Sequence, residues 1–364
     1  MLLDKIKSLS QSYSGLVVEM RRHFHANPEL SYKEHNTVKY VAQQLRNFGI
    51  EPVEGIGGTG LIADIKGKNP EKKTIALRAD MDALPIQEAN EVPYKSKNPG
   101  IMHACGHDVH TSSLLGTARI LNEIRNEFEG TVRLLFQPGE EKNPGGASYM
   151  IRDGALENPK PASIIGQHVL PILPVGKIGF REGMYMASAD EIYLKVIGKG
   201  GHGAAPDLAI DPIIIASHII IALQQVISRN ANPRQPTVLT FGKITGEGAT
   251  NIIPNEVNIA GTFRAMNEEW RENGLRKIKK MAESLAEGMG GKCEVDISRG
   301  YPYLENNPEL TRRIRHAAEE YAGKENVVDI DITLGAEDFA YYSHVIPASF
   351  YRLGTRNEAK GITS

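Results

Sequence analysis

Strand-like and helix-like segments alternate along residues 60–170, and this alternation restricts the possible folds more than any other feature of the sequence. The strand-like runs are 61–65, 74–77, 132–136 and 164–169, and the helical patterns between them are 109–128 and 147–156. Such an order is typical of an α/β fold, in which helices cover a largely parallel sheet. We therefore expect a three-layer domain with a mostly parallel central sheet, whose ligands bind beyond the carboxyl ends of the strands.

The pattern changes near residue 184 to that of a smaller α+β unit. Its strand-like runs are 191–197, 238–244, 257–263 and 293–297, and its helical patterns are 212–228 and 268–288. This β, α, β, β, α order with a closing strand predicts a ferredoxin-like domain inserted into the first one. We expect the larger domain to comprise residues 1–183 and 300–364, with the inserted domain at 184–299. In the returning segment we expect helices at 308–322 and 337–343.

Composition and charge exclude several classes of partner. The net charge is -2 and charged residues make up 24% of the chain, so no strong field attracts nucleic acid or an anionic membrane. Cys105 and Cys293 are the only cysteines, which is typical of a reducing compartment, and we expect a cytoplasmic protein. The longest apolar run, 212–223, contains Ser217 and His218 and is short for a bilayer, so we expect no membrane partner.

Residues 101–110 concentrate side chains that can bind a metal. This decapeptide holds three of the eleven histidines and one of the two cysteines. Cys105 and His107 are separated by a single glycine, so a turn could direct a thiolate and an imidazole to one point. A buried structural cysteine beside a helix-capping histidine is the alternative interpretation.

Acidic and imidazole side chains also follow the predicted strands. Asp80 and Asp82 follow one strand, Glu140 and Glu141 follow another, and His168 ends a third. Adjacent carboxylates repel unless one ligates a cation while the other is a base with a raised pKa. A solvated loop, a core histidine and a turn carboxylate are the respective alternatives, but one rim of the sheet could collect all these groups.

The motifs taken together resemble a known enzyme family. They are Asp80-Met81-Asp82-Ala83-Leu84-Pro85, His103-Ala104-Cys105-Gly106-His107-Asp108, Gly139-Glu140-Glu141, His168 and Gly201-His202-Gly203-Ala204. Over nearly the whole chain, their order closely resembles that of the co-catalytic two-metal amidohydrolases, which include aminoacylases, hippurate hydrolases, auxin-conjugate hydrolases and related carboxypeptidases. The resemblance implies that the larger domain is catalytic and that the inserted domain is a lid or dimerisation domain.

The resemblance also implies a metal centre with two divalent ions. The implied metal ligands are Cys105, His107, Glu141 and His168. Glu140 would be the general base, and Asp82 would orient the metal ligands. Asp80 falls where other branches of the family carry a ligating histidine, so we do not count it as a ligand. A thiolate favours zinc, whereas carboxylate and imidazole also suit manganese, nickel or cobalt, so the identity of the metal stays open.

Four further residues acquire roles from the same resemblance. His202 would hydrogen-bond the oxyanion of the reaction, often from a partner subunit, so we expect a homodimer formed through the inserted domain. Asn251 and Arg264 would hold the carboxylate of the substrate, and Glu337 would line the pocket. The alternatives are a flexible glycine-rich hairpin for His202, edge-strand and loop polarity for Asn251 and Arg264, and a helix-start carboxylate for Glu337.

The expected reaction is hydrolysis of an N-acyl amino acid to a carboxylic acid and a free amino acid. A dipeptidase or carboxypeptidase of the same family is one alternative. The family carries a further histidine ligand near its C-terminus, and this sequence stops at Gly361-Ile362-Thr363-Ser364 without one. We therefore also consider a longer native chain, or a homologue that binds without turnover.

Overall fold

The computed structural model describes residues 2–362, which include eight α-helices. The helices are α1 (Leu2–Ala26), α2 (His35–Asn47), α3 (His107–Glu123), α4 (Gly146–Arg152), α5 (Pro212–Gln225), α6 (Glu268–Gly288), α7 (Pro308–Ala322) and α8 (Ala340–Ser343). The segment 361–364 was compared above with the family's further histidine ligand. Thr363 and Ser364 of that segment lie outside the described residues.

Sixteen strands accompany these helices. They are β1 (Pro52–Ile56), β2 (Gly60–Lys66), β3 (Thr74–Asp80), β4 (Thr131–Gln137), β5 (Ile164–Pro174), β6 (Ile178–Phe180), β7 (Gly183–Met186), β8 (Asp190–Ile197), β9 (Gly201–His202), β10 (Thr237–Thr245), β11 (Ile252–Ile253), β12 (Glu256–Ala265), β13 (Lys292–Arg299), β14 (Leu304–Asn306), β15 (Val327–Asp329) and β16 (Ala348–Arg356).

The chain divides into two compact units, and the second interrupts the sequence of the first. The first unit comprises 1–184, 305–332 and 337–364, and the second comprises 185–304 and 333–336. The domain bounds proposed from the sequence, 1–183, 184–299 and 300–364, stay a prediction. An inserted second unit is the arrangement that the change of pattern near residue 184 indicates.

The first unit is built on an eight-stranded sheet of order β1-β2-β4-β3-β5-β16-β6-β15. Strands β4, β3, β5 and β16 in its centre run parallel to one another. Antiparallel pairs occur between β1 and β2, β2 and β4, and β6 and β16. The sheet is therefore mixed, because short connections such as the β1–β2 hairpin can join only antiparallel neighbours. The predicted α/β class is confirmed, with the parallel strands at its centre.

Three helices cover one face of this sheet. Residues Met20 and Phe24 of α1, Leu45 of α2 and Leu115 of α3 are at most 2% exposed and pack with Phe136 of β4 in one apolar core. Burial of each such side chain stabilises the fold by about 1.5–3 kcal/mol. The core thereby fixes the start of α3 beside the carboxyl ends of β3 and β4.

The second unit contains an antiparallel sheet of order β10-β12-β8-β13. Strand β8 alternates between buried and more exposed side chains, and Ile192, Leu194 and Val196 face a core shared with α5 and α6. This period of two is typical of a sheet with one covered face. The predicted α+β class of this unit is confirmed.

Helix α5 and the turn after it are unusually apolar. Among the described residues, Pro212–Asn230 is the one helical stretch with the length and composition to cross a membrane, with a mean hydropathy of 1.4. Ile215, Ile219 and Leu223 are nonetheless buried in the core of the second unit. Because core helices of soluble proteins pass the same test, this stretch is weak evidence for a membrane span.

Candidate metal centre

The predicted ligands of the first unit come from separate elements that meet beyond the sheet. Glu140 and Glu141 follow β4, His168 lies on β5, and Cys105 and His107 bracket the start of α3. Parallel strands deliver their carboxyl ends to one edge of the sheet, which is why residues distant in sequence meet there.

Cys105 and His168 face each other directly. The Sγ of Cys105 lies 3.2 Å from Nε2 of His168, while Nδ1 of His168 lies 2.7 Å from the carbonyl oxygen of Val169. Nδ1 must be the protonated nitrogen in that contact, so Nε2 keeps its lone pair and points at the thiol. This tautomer is the one that a metal-ligating histidine needs.

Gly106 allows Cys105 and His107 to flank one point. Its φ of 106° is in the left-handed region, and a Cβ there would lie 2.4 Å from Cγ2 of Val169. No other residue fits this combination of backbone conformation and close approach. The glycine between the two predicted ligands is therefore a geometric requirement of the turn into α3.

His107 is held with one ring nitrogen toward the acidic residues. Its Nδ1 lies 2.8 Å from the carbonyl oxygen of Asp82 and 3.2 Å from Oδ1 of the same residue. Its Nε2 lies 3.8 Å from Oε1 of Glu141 and 3.9 Å from Oε2 of Glu140. These distances are too long for hydrogen bonds, so the groups converge on a common point without binding one another.

The residues present fit a metal. Among the described residues, the few buried side-chain atoms that lack a hydrogen-bond partner include His107 Nε2 and Glu141 Oε1. Buried polar atoms are nearly always paired, so unpaired atoms that face each other indicate an external partner. Two overlapping groups could hold an ion, and in each group the ligand atoms lie within 4.8 Å of one another. The first group is Cys105, His107 and His168, and the second is His107, Glu140 and Glu141. These sulfur, nitrogen and oxygen donors are the set that zinc and related divalent ions prefer.

The electrostatics of the cluster also favour a cation. Burial lowers the pKa of His168 well below its usual value and raises the pKa of the Cys105 thiol. At His107, burial lowers the pKa, but Asp80, Cys105 and the hydrogen bond with Asp82 together outweigh it and raise the pKa well above the usual value. Positive charge is thus stabilised at this point, and a bound cation would supply it while deprotonating the thiol.

Glu140 lies in a different electrostatic environment from Asp82. Burial, together with the carboxylates of Glu337 and Asp338, raises the pKa of Glu140 well above its usual value. Burial also raises the pKa of Asp82, but hydrogen bonds from His107, Ser31 and the Glu141 backbone lower it below its usual value. A raised pKa suits a group that must accept and return a proton, and a lowered one suits a permanent carboxylate.

The sequence interpretation missed a buried charge network behind the cluster. The guanidinium of Arg78 donates to Asp80 at 2.5 Å, to Glu337 at 3.0 Å and to Asp338 at 2.7 Å. All four side chains are at most 2% exposed. Arg78 was overlooked because it precedes the acidic motif on β3, and two of its three partners, Glu337 and Asp338, lie 259 and 260 residues away. Glu337, predicted to line the pocket, also accepts a hydrogen bond from the backbone of Phe339.

His110 is a second residue that the sequence interpretation did not single out. Its Nδ1 lies 2.6 Å from Oδ1 of Asp80, and its Nε2 accepts a hydrogen bond from the backbone N–H of Val169 at 3.0 Å. It therefore links β3 to β5 beneath the candidate ligands. The available signal was its position three residues after His107, which places both rings on one face of α3.

The remaining predicted residues belong to the second unit. His202 on β9 is exposed and pairs with Ile252 of β11, so it lies next to Asn251, whose carbonyl accepts a hydrogen bond from Gly203. Arg264 on β12 is half-buried, and its Nε donates to Thr262 at 3.0 Å. The roles predicted for these residues stay predictions.

Comparison with known proteins identifies the family. The sequence profile of peptidase family M20/M25/M40 matches residues 76–363. The chain belongs to this family. This M20-family protein is a hydrolase whose described residues include clusters of side chains that could hold metal ions. The resemblance inferred from the motifs is thereby confirmed.

Individual relatives extend over most of the chain. N-acetyl-L-cysteine deacetylase of Bacillus subtilis is 42% identical over 339 residues, 93% of this chain and 80% of that protein. Thermostable carboxypeptidase 2 of Saccharolobus solfataricus is 40% identical over 363 residues, 99% of this chain and 91% of that protein. The crystal structure of YxeP from Bacillus subtilis, described as a dinuclear metal-binding peptidase of the M20 family, is 36% identical with a TM-score of 0.79 and covers 95% of this chain and 90% of that chain.

Proposed function

We propose that this M20-family protein hydrolyses the amide bond of N-acyl amino acids, releasing a carboxylic acid and a free amino acid. The position of Glu140 carries this proposal. Its side chain is 7% exposed, lies 3.9 Å from the unpaired nitrogen of His107, and has a pKa raised by burial and by two neighbouring carboxylates. A carboxylate poised in this way beside metal-binding groups is suited to general base and acid catalysis.

Four side chains would hold the two metal ions: Cys105, His107, Glu141 and His168. Zinc, manganese, nickel and cobalt all suit this donor set. When bound, such ions polarise the amide carbonyl and lower the pKa of water. Asp82 would orient His107, because the Nδ1 of His107 contacts both the carbonyl and the carboxylate of Asp82.

Glu140 would transfer one proton during each turnover. It accepts a proton from the attacking water as the water oxygen forms a bond to the amide carbon. It then donates that proton to the amide nitrogen as the carbon–nitrogen bond breaks, so that a neutral amine leaves. The protonated form is accessible because the pKa of Glu140 is raised, and Glu140 ends the cycle in its starting state.

We assign substrate recognition to the residues predicted from the sequence. His202 would hydrogen-bond the oxyanion, Asn251 and Arg264 would bind the substrate carboxylate, and Glu337 would line the pocket beside Glu140. N-acyl amino acids are favoured because a similar protein is named N-acetyl-L-cysteine deacetylase. The similarity to a thermostable carboxypeptidase supports a peptide substrate as the alternative.

A substrate panel tests the proposal. Purified protein supplied with zinc, manganese or cobalt is assayed against N-acetyl amino acids, N-benzoyl amino acids and matched dipeptides. We expect the highest kcat/KM for an N-acyl amino acid. Higher values for dipeptides would assign the carboxypeptidase or dipeptidase alternative. Binding without hydrolysis at any metal would identify a homologue without turnover.

We also propose that the protein is a cytoplasmic homodimer that associates through its second unit. The apolar side chains of Ile213, Ile214 and Ile221 on α5 are 41%, 50% and 72% exposed, which supports an interface in this unit. Sedimentation velocity should give the mass of a dimer. A monomer with full turnover would exclude the need for a partner subunit.

A further inference from the structure

The segment Ser31–Glu34 contacts the loop that carries Glu140 and Glu141. Glu34 is fully buried, and its Oε1 accepts hydrogen bonds from the backbone N–H of Gly139 at 2.8 Å and of Tyr32 at 2.9 Å. Its second oxygen accepts a hydrogen bond from the hydroxyl of Thr59. The carboxylate therefore joins the N-terminal region, the β1–β2 hairpin and the residue immediately before Glu140.

Two more residues of the Ser31–Glu34 segment bind the same site. The hydroxyl of Ser31 donates to Oδ2 of Asp82 at 2.6 Å, and that oxygen also accepts the backbone N–H of Glu141 at 2.9 Å. The hydroxyl of Tyr32 donates to the carbonyl of Lys142 at 2.8 Å. Contacts thus occur on both sides of the Glu140–Glu141 pair.

The ring of Tyr32 packs so closely against Gly139 that a larger residue would not fit there. Gly139 has a φ of 61°, and a Cβ at this residue would lie 2.3 Å from Cε1 of Tyr32. Tyr32 itself has a φ of 63°, a left-handed conformation that is uncommon for a tyrosine. A strained residue of this kind persists only where surrounding contacts fix it, and here Tyr32 lies against Gly139 before Glu140 and bonds the carbonyl of Lys142 after Glu141.

The burial of Glu34 is costly for stability alone. Among residues 2–362 no arginine, lysine or histidine forms an ion pair with it, and its recorded partners are backbone N–H groups and a hydroxyl. An apolar side chain would fill this position at lower cost in desolvation. Unlike an apolar side chain, the carboxylate accepts the N–H of Gly139 and so holds that peptide in one orientation.

We propose that Glu34 is a positioning residue, which fixes the Gly139 peptide by hydrogen bonding and thereby aims Glu140 at the metal centre. Its catalytic consequence rests on the proposed function, whereas its effect on the loop does not. Hydrogen bonding rather than charge carries the role. A glutamine at this position can accept the same two N–H groups, and the Thr59 hydroxyl can turn to accept from its amide.

Amide hydrogen exchange tests the effect on the loop directly. The exchange rate of the peptide that spans 138–142 is compared among the metal-free forms of the wild type, Glu34→Ala and Glu34→Gln. We expect faster exchange in Glu34→Ala and wild-type exchange in Glu34→Gln. Glu29→Ala is the matched control, because Glu29 accepts from the backbone N–H groups of Asn36 and Thr37 at the start of α2 and does not contact the loop.

Kinetics tests the consequence for Glu140. Glu34→Ala should lower kcat by about 10-fold to 100-fold, with KM and bound metal unchanged, since small displacements of a catalytic group have effects of this size. Glu34→Gln should restore kcat. Glu29→Ala should lower the Tm without lowering kcat.

Several outcomes would overturn the proposal. Wild-type exchange of 138–142 in Glu34→Ala would exclude a positioning role, and equal defects in Glu34→Ala and Glu34→Gln would assign the role to charge. If Glu34→Ala does not fold, Thr59→Val removes one partner of the carboxylate and should also accelerate loop exchange, so an unchanged rate would count against the proposal. If wild-type protein hydrolyses no substrate, the proposed function fails while the exchange data still decide the role of Glu34.

Discussion

Two buried charge clusters in this molecule differ in whether their polar atoms all have partners within the protein, and a cluster in which they do is called complete. In the second unit, Arg271 donates to Asp190 at 2.6 and 2.8 Å and to the carbonyl of Gly300 at 2.9 Å. In that cluster the guanidinium N–H groups are paired with oxygen acceptors, and the carboxylate of Asp190 is paired with N–H donors. In the first unit, His107 Nε2 and Glu141 Oε1 are equally buried and have none among the described residues.

The difference separates a structural ion pair from a reactive site. Asp190 and Arg271 balance each other in charge and geometry, so nothing further needs to bind there. The cluster around His107 contains a thiol, imidazoles and adjacent carboxylates, and two of its buried atoms, His107 Nε2 and Glu141 Oε1, lack a partner among the described residues. A bound cation would pair these two atoms, and Glu140 beside them is the residue that we propose as the general base.

Replacing the proposed base should give the largest effect. Glu140→Gln removes the proton acceptor while keeping the shape of the side chain, so kcat should fall by about 10²-fold to 10⁴-fold. Bound metal should stay at the wild-type level, because Glu140 is not among the four proposed ligands. Elemental analysis and steady-state kinetics on the same preparation measure both quantities.

The neighbouring carboxylate supplies the matched control. Glu141→Gln removes a proposed ligand, so it should lose metal as well as activity, and added zinc should restore part of the rate. If Glu140→Gln lost metal and Glu141→Gln kept it, the two assignments would have to be exchanged.

Removing one partner of the Asp190–Arg271 pair should produce the next largest effect, in this case on stability. Arg271→Met leaves the buried carboxylate of Asp190 without its cation, which should lower the free energy of unfolding by about 3–5 kcal/mol. The double variant Asp190→Leu, Arg271→Met removes both charges and should recover much of this loss. Urea denaturation measures both, and equal stabilities of the single and double variants would contradict the comparison.

A smaller effect is expected from the residue that orients His107. Asp82→Ala removes the carboxylate contacts with His107 and Ser31 and with the Glu141 backbone, so metal affinity should fall by about 10-fold to 100-fold. Competition with a zinc-binding dye gives the dissociation constant. Ser31→Ala, which removes only one of these contacts, should have a weaker effect, and a stronger one would contradict the orienting role of Asp82.

Local sequence patterns predicted the elements that place the site. The helices expected at 268–288 and 308–322 coincide with α6 and α7, because strong amphipathic periodicity and N-terminal asparagine caps fix their bounds. The predicted strands 132–136 and 164–169 correspond to β4 and β5. Because both strands are parallel neighbours of β3, their chain direction brings Glu141 and His168 each close to His107.

The remainder depends on pairings that no local pattern encodes. The helix expected at 337–343 begins only at Ala340, because the side chains of Glu337 and Asp338 bind Arg78 from β3. The helix expected at 147–156 ends at Arg152, just before the left-handed Gly154. Strand β1 was not predicted, since its middle residues are exposed and lack apolar alternation. The contacts of Ser31 and Glu34 likewise join the N-terminal segment to residues far along the chain.

A third buried charge cluster, around His25, allows the comparison to be tested through the pH dependence of the unfolding free energy. His25 lies between two carboxylates, with Nδ1 2.7 Å from Asp108 and Nε2 3.0 Å from Glu88. Burial and the guanidinium of Arg21 lower the pKa of His25, but the two hydrogen bonds outweigh them and raise it above the usual 6.5. Burial raises the pKa of Asp108, but the His25 hydrogen bond and neighbouring positive charges lower it to about 2. The carboxylate of Asp108 therefore stays charged at every pH near neutrality.

The folded protein should therefore bind the His25 proton more tightly than the unfolded chain does. The stability that this proton confers is fully present below about pH 6.5 and is lost as pH rises through the folded-state pKa of His25. The difference in unfolding free energy between wild type and His25→Gln should thus be larger at pH 6 than at pH 9. Urea denaturation of the chelator-treated proteins removes the contribution of metal binding, and histidines common to both proteins cancel. This is the smallest expected effect, because only the part of the His25 contribution that depends on its charge changes with pH. A difference that grew toward pH 9 would mean that His25 is neutral when folded, and the cluster would then be incomplete like the one around His107.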